Sequence, residues 1–196
     1  MKKILIGLLL ISTAFTATAC SGSPRKSLSQ VSAVETVNET TAQSTDVALG
    51  SEGISITLPE DFAVGGLDLS DNPDITTVFS NTNGTIAILA IKELKSEIDV
   101  NSASDYLQLQ CDNLPEGVIP GNTLKDPKGN YILSENDGVE YFEYTDLNIG
   151  SDSFEYLSTA YESDDAFWLV QFTCASDEYA SNKSDFIKWA KTVSFY

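Results

Sequence analysis

Ala166-Phe167-Trp168-Leu169-Val170-Gln171-Phe172-Thr173-Cys174 is the stretch on which the fold turns. Side chains along a strand alternate between its two faces. Trp168, Val170, Phe172 and Cys174 therefore share one face, and Phe167 and Leu169 share the other. A sheet with one wetted face alternates apolar with polar residues, whereas this run is apolar on both sides. The stretch 153–162 repeats the pattern, with Phe154, Tyr156 and Ala160 set against Leu157 and Tyr161. Both faces of the sheet need a cover, and helices are the natural one.

Turn signals flank these runs. Asn83-Gly84, Lys128-Gly129-Asn130, Asp137-Gly138, Asn148-Ile149-Gly150 and Ser163-Asp164-Asp165 all lie between β-type segments. Asn-Gly and Asp-Gly mark two-residue hairpins, because both positions must accept positive φ. The pattern predicts strands at 53–58, 61–65, 75–81, 85–93, 130–135, 138–146, 153–162 and 166–174, the last four forming a meander. A helix is predicted at 103–113, with Ser102 as N-cap, Asp105 in the first turn, and Leu107, Cys111 and Leu114 at i, i+4 and i+7. A second is predicted at 177–192, with Ser176 as N-cap, Asp177 and Glu178 in its first turn, and Lys188 and Lys191 near its end. Its apolar stripe is Tyr179, Phe186, Ala190 and Val193, joined by Trp189. The expected fold class is α+β, a largely antiparallel β-sheet covered by helices on both faces.

The folding information is concentrated in residues 51–196, which hold all eight Tyr, both Trp and eight of the nine Phe. At this length one domain with one core is expected. Its 26 acidic residues stand against seven lysines and no arginine, leaving −19, and the whole chain carries −18. Nucleic acid is a poor partner for such a surface, because phosphate contacts require Lys and Arg. A cationic partner or a divalent cation is electrostatically permitted, although the same charge also simply keeps a protein soluble.

The N-terminal residues read as an export signal. Lys2 and Lys3 precede the apolar run Ile4-Leu5-Ile6-Gly7-Leu8-Leu9-Leu10-Ile11, and small residues lead to Ala17-Thr18-Ala19-Cys20. The run is too short to span a bilayer, which takes about 20 apolar residues. This resembles a bacterial lipoprotein signal peptide over residues 1–19, with Cys20 as the lipid-bearing first residue of the mature chain. Ala17-Thr18-Ala19 also fits the A-x-A site of a fully released protein. The lipidated reading is favoured by a cysteine directly after the small pair and a polar spacer behind it. Two acyl chains there would anchor durably, at ~0.8 kcal/mol per buried CH₂. Residues 20–50 read as that cysteine and a Ser/Thr-rich linker: ten of the thirty residues from 21 to 50 are Ser or Thr and none is aromatic, too little to offset ordering entropy. The expected location is the extracytoplasmic face of a cell membrane, held by the lipid anchor.

Four segments taken in order resemble the PsbP-like α/β/α sandwich: Ile54-Ser55-Ile56-Thr57-Leu58-Pro59, Ala103-Ser104-Asp105-Tyr106-Leu107, the Ala166–Phe172 block, and Phe186-Ile187-Lys188-Trp189-Ala190-Lys191-Thr192-Val193. The resemblance covers nearly all of 51–196. It implies a non-catalytic binding or assembly module, since relatives of this fold mostly serve in such roles and no catalytic motif defines it.

Cys111 and Cys174 remain once Cys20 is assigned to lipid. Each lies on the apolar face of its element. They read either as a disulfide, which would close a loop of about 60 residues and contribute ~4 kcal/mol, or as two buried thiols.

The search for chemistry is mostly exclusion. The absence of histidine removes Ser-His-Asp and Cys-His catalysis and the commonest zinc ligand. No cofactor motif occurs. Asp68, Asp71, Asn72 and Asp74 crowd oxygen ligands into one loop and are weak calcium candidates. The sixth and twelfth positions of an EF-hand are held by Pro73 and Phe79 instead of Gly and Glu. The expected function is therefore a membrane-anchored, non-enzymatic module that binds an unknown protein or small-molecule ligand. The alternatives are a carboxylate-dependent glycan hydrolase and a calcium-dependent adhesion module.

Overall fold

The structure, a computed structural model, describes residues 46–66, 74–115, 118–121, 124–147 and 153–196. In chain order the elements are β1 (Asp46–Ser51), β2 (Ile54–Pro59), β3 (Phe62–Val64), β4 (Thr77–Asn81), β5 (Ile86–Leu94), α1 (Ala103–Asp112), β6 (Val118–Pro120), β7 (Ser134–Asn136), β8 (Val139–Asp146), β9 (Phe154–Glu162), β10 (Ala166–Ala175), α2 (Ser176–Ala190) and β11 (Ser194–Phe195).

The main sheet runs β3-β4-β5-β10-β9-β8-β6, with β7 also on β8, and every pairing in it is antiparallel. β10 lies at its centre, flanked by β5 and β9 along almost its full length. That position is why its sequence is apolar on both faces. Trp168, Val170, Phe172 and Cys174 join a cluster with Tyr179, Phe186, Ile187 and Trp189 of α2. Phe167 and Leu169 join another with Tyr106, Leu107 and Cys111 of α1. Each helix covers one face, as expected. On the α2 side a second, three-stranded sheet, β1-β2-β11, adds Ile54, Ile56 and Leu58 to the cluster, all fully buried.

The meander forms over β8, β9 and β10, with a short β7 paired to the start of β8. Its Asp137-Gly138 turn has φ of 53° and 79°, the pair of positive values that a type I′ hairpin requires. Ser102 caps α1, its Oγ accepting from the Asp105 N–H at 3.1 Å.

Three expectations are corrected. The strand predicted at 130–135 is reduced to Ser134–Asn136, with Tyr131 in an isolated bridge to Lys125. Ser176 is not the α2 cap: Ala175 holds that position without a side-chain bond, and the Ser176 Oγ is buried without a hydrogen-bond partner. The domain starts before residue 51, because Asp46–Ser51 pairs along its whole length with β2. Its alternation is too weak to mark a strand, since exposed and half-buried residues simply take turns. β6 and β11, short and lacking a pattern of their own, were likewise not legible.

Candidate functional site

A cleft of about 480 Å³ opens where the β8–β9 ladder ends. Four elements supply its walls. Ala103, Ser104 and Leu107 come from the first turns of α1, and Asp137, Gly138, Val139 and Glu140 from the β7–β8 turn and the start of β8. Thr159, Ala160 and Tyr161 come from the end of β9, Ala190 from the last turn of α2, and Lys191 and Val193 from the segment joining α2 to β11. The two helices lie on opposite faces of the sheet, so the cleft forms a notch in the sheet between them. Its volume falls in the range of ligand pockets, about 300–1,000 Å³.

The chemistry of the walls is mixed. Ala103, Leu107, Val139, Ala160 and Val193 are apolar. At the rim, Lys191 Nζ meets Asp137 Oδ2 at 2.5 Å, and the Glu140 side chain is exposed. The Tyr161 hydroxyl donates to the Ala190 carbonyl at 2.6 Å, and burial raises its pKa, so it remains a donor. The cleft can hold a ligand by shape, apolar contact and a few hydrogen bonds.

Two polar nodes lie away from it. Glu93 accepts from the Tyr106 hydroxyl, and from Gln110 Nε2 at 3.0 Å. Burial raises the Glu93 carboxyl; the bonds from Tyr106 and Gln110 oppose this, and the charges of Asp74 and Glu97 add to it. Glu143 accepts from the Tyr179 hydroxyl at 2.5 Å and pairs with Lys183 at 2.7 Å. Burial works against the charge of Lys183, and Glu143 outweighs it, so the ammonium pKa is raised. Both nodes fasten a helix to the sheet. No motif announced them, because each joins residues distant in sequence.

Cys20, Asp68, Asp71 and Asn72 lie outside the described residues. Asp74 stands just before β4, near enough to Glu93 to raise its pKa. Among the described residues no group of three or more His, Cys, Asp or Glu side chains could hold a metal ion. Cys111 and Cys174 are free and buried. The disulfide alternative is not formed, because α1 carries Cys111 into the cluster on one face of the sheet while Cys174 points into the cluster on the other. Burial pushes both thiols up to about 12, which makes them poor nucleophiles. None of the cleft residues is among the lipid, disulfide or calcium candidates that the sequence offers. The Asp137-Gly138 turn marked its position but not its depth.

These features define an α/β/α sandwich of the PsbP-like fold, with a side cleft at one end of the central sheet. The solution structure of cyanobacterial PsbP (CyanoP) from Synechocystis sp. PCC 6803 is similar, with a TM-score of 0.51 and 15% identity over 80% of this chain and 96% of that one. A mutant of the protein Mog1 gives a TM-score of 0.46 and 11% identity over 78% and 95%. LpqN, involved in cell envelope biogenesis of Mycobacterium tuberculosis, gives 0.44 and 17% over 78% and 90%. The fold assignment rests on the first. No protein-family model and no curated protein sequence matches the chain.

Proposed function

We propose that this chain is a non-catalytic binding module of the cell envelope, tethered by lipid on Cys20, with the β8–β9 cleft as its ligand site. The cleft carries the binding half of this reading: four elements converge on one cavity of ligand size, and its rim offers hydrogen-bonding groups without a nucleophile–base pair. The sequence around Cys20 supports the anchored half. Among the described residues no helix is long and apolar enough to cross a membrane. Five of the seven domain lysines are in ion pairs with acidic side chains, leaving a surface dominated by negative charge. Such a surface favours cationic or neutral ligands over anionic ones.

Two measurements test this reading. Metabolic labelling with an alkyne fatty acid should tag the wild-type chain, and Cys20→Ser should lose both the tag and the membrane-fraction signal. A tagless, soluble wild type refutes the anchor. A fragment screen followed by amide NMR should place its hits on Ala103–Leu107, Val139–Glu140 and Thr159–Tyr161. Hits clustering elsewhere refute the cleft.

A further inference from the structure

We propose that the cleft accepts an extended polypeptide segment, which adds to the open edge of β9 as a short strand; this deepens, and rests on, the reading of the cleft as the ligand site. β8 and β9 pair from Asp146↔Phe154 to Phe142↔Ser158. Neither strand stops there. β8 reaches back to Val139 and β9 runs on to Glu162, but they part. Residues 139–141 of β8 pair with β7, from Val139↔Asn136 to Tyr141↔Ser134, while β9 stays with β10 as far as Phe167↔Glu162. Over 159–162, β9 has an edge that no described strand covers. The cleft opens along this edge, with Thr159, Ala160 and Tyr161 in its wall.

The occupant follows from the chemistry of that edge. Alternate residues of a strand direct both N–H and C=O sideways, and such groups need partners. An extended main chain repeats donors and acceptors at the same spacing, which is the basis of strand addition. The facing walls, Ala103 and Leu107 on one side and Val193 on the other, are apolar and suit side chains leaving a strand to both faces. Glu140 is exposed at the rim while Lys191 is paired to Asp137, so a basic residue in the segment is favoured.

The test uses the full chain, purified in detergent, and a phage-displayed library of linear random heptapeptides. Selection is for peptides that bind the wild type and not Ser104→Trp, a variant that fills the mouth of the cleft from an exposed position. Glu140→Lys provides a second variant should the tryptophan disturb α1. The best peptide is then synthesised with its main-chain nitrogens methylated at alternate positions, in both registers. The expected result is a loss of about tenfold or more in affinity for one methylation register, little change for the other, and weaker binding to both variants. A peptide equally tolerant of both registers, or a library with no binder that distinguishes wild type from the two variants, overturns strand addition. If peptides fail while fragments still map to the cleft, the ligand site stands and only its occupant is wrong.

Discussion

The Tyr161 hydroxyl donates to the carbonyl of Ala190 at 2.6 Å, tying the far end of β9 to the last turn of α2. The final carbonyls of a helix have no intrahelical partner; that of Ala190 also accepts from the Val193 N–H at 3.4 Å, and the Tyr161 bond adds a tie between the helix end and the sheet. Tyr161→Phe keeps the ring and removes the bond. The expected cost is about 1 kcal/mol, read as a lower urea midpoint, with faster amide exchange over Thr192 and Val193. A midpoint equal to wild type would show that the bond contributes nothing.

Phe172 of β10 stacks on Phe186 of α2 with ring centroids 5.7 Å apart, and both side chains are fully buried. Phe172→Ala leaves a cavity between two rigid layers. A loss of about 3–5 kcal/mol is expected, among the largest of any single substitution in the domain. Chemical denaturation measures it, and a loss under about 1 kcal/mol would mean that this interface is not close-packed.

Glu93 should make stability depend on pH. Burial raises its carboxyl above the ordinary 4.5, and the hydrogen bonds from Tyr106 and Gln110 only partly offset this. The folded chain therefore holds this proton to higher pH than the unfolded chain does. Where the folded state binds more protons, stability falls as pH rises. The favourable contribution is complete below the unfolded value and lost as pH climbs through the raised folded value. Glu93→Gln cannot ionise, so its stability relative to wild type should improve as pH rises from the ordinary carboxylate range through the raised folded value. Urea midpoints at several pH values read this directly, and a constant difference would refute it.

Cys111 and Cys174 should be silent in the native state. Both are buried, with thiols pushed up to about 12, and thiolate is the reactive form. Iodoacetamide at neutral pH should leave both unmodified until denaturant is added, and then label both. Intact mass and mobility should be the same with and without reductant. Failure to label after denaturation would reveal a bridge across the sheet, contrary to the packing described.

Much of the fold was legible because its signals are local. Period-two alternation over 153–162 and 166–174 identified two central strands with both faces buried. Asp137-Gly138 marked a hairpin because few residue pairs accept positive φ twice. The site was far less legible. Its walls come from α1, β8, β9 and the end of α2, and no local pattern records where two strands stop pairing.

The chain by itself determined the central strands β8, β9 and β10, the Asp137-Gly138 turn, and the need for a helix on each side, because steric preference and face polarity act between near neighbours. Tertiary structure alone decided three things. It placed Cys111 and Cys174 on opposite faces, since an apolar stripe does not say which side of a sheet its helix will cover. It drew Asp46–Ser51 into the second sheet through pairing with β2. And it parted β8 from β9 to open the cleft, because where two strands stop pairing depends on how the whole sheet assembles and not on the sequence of either strand.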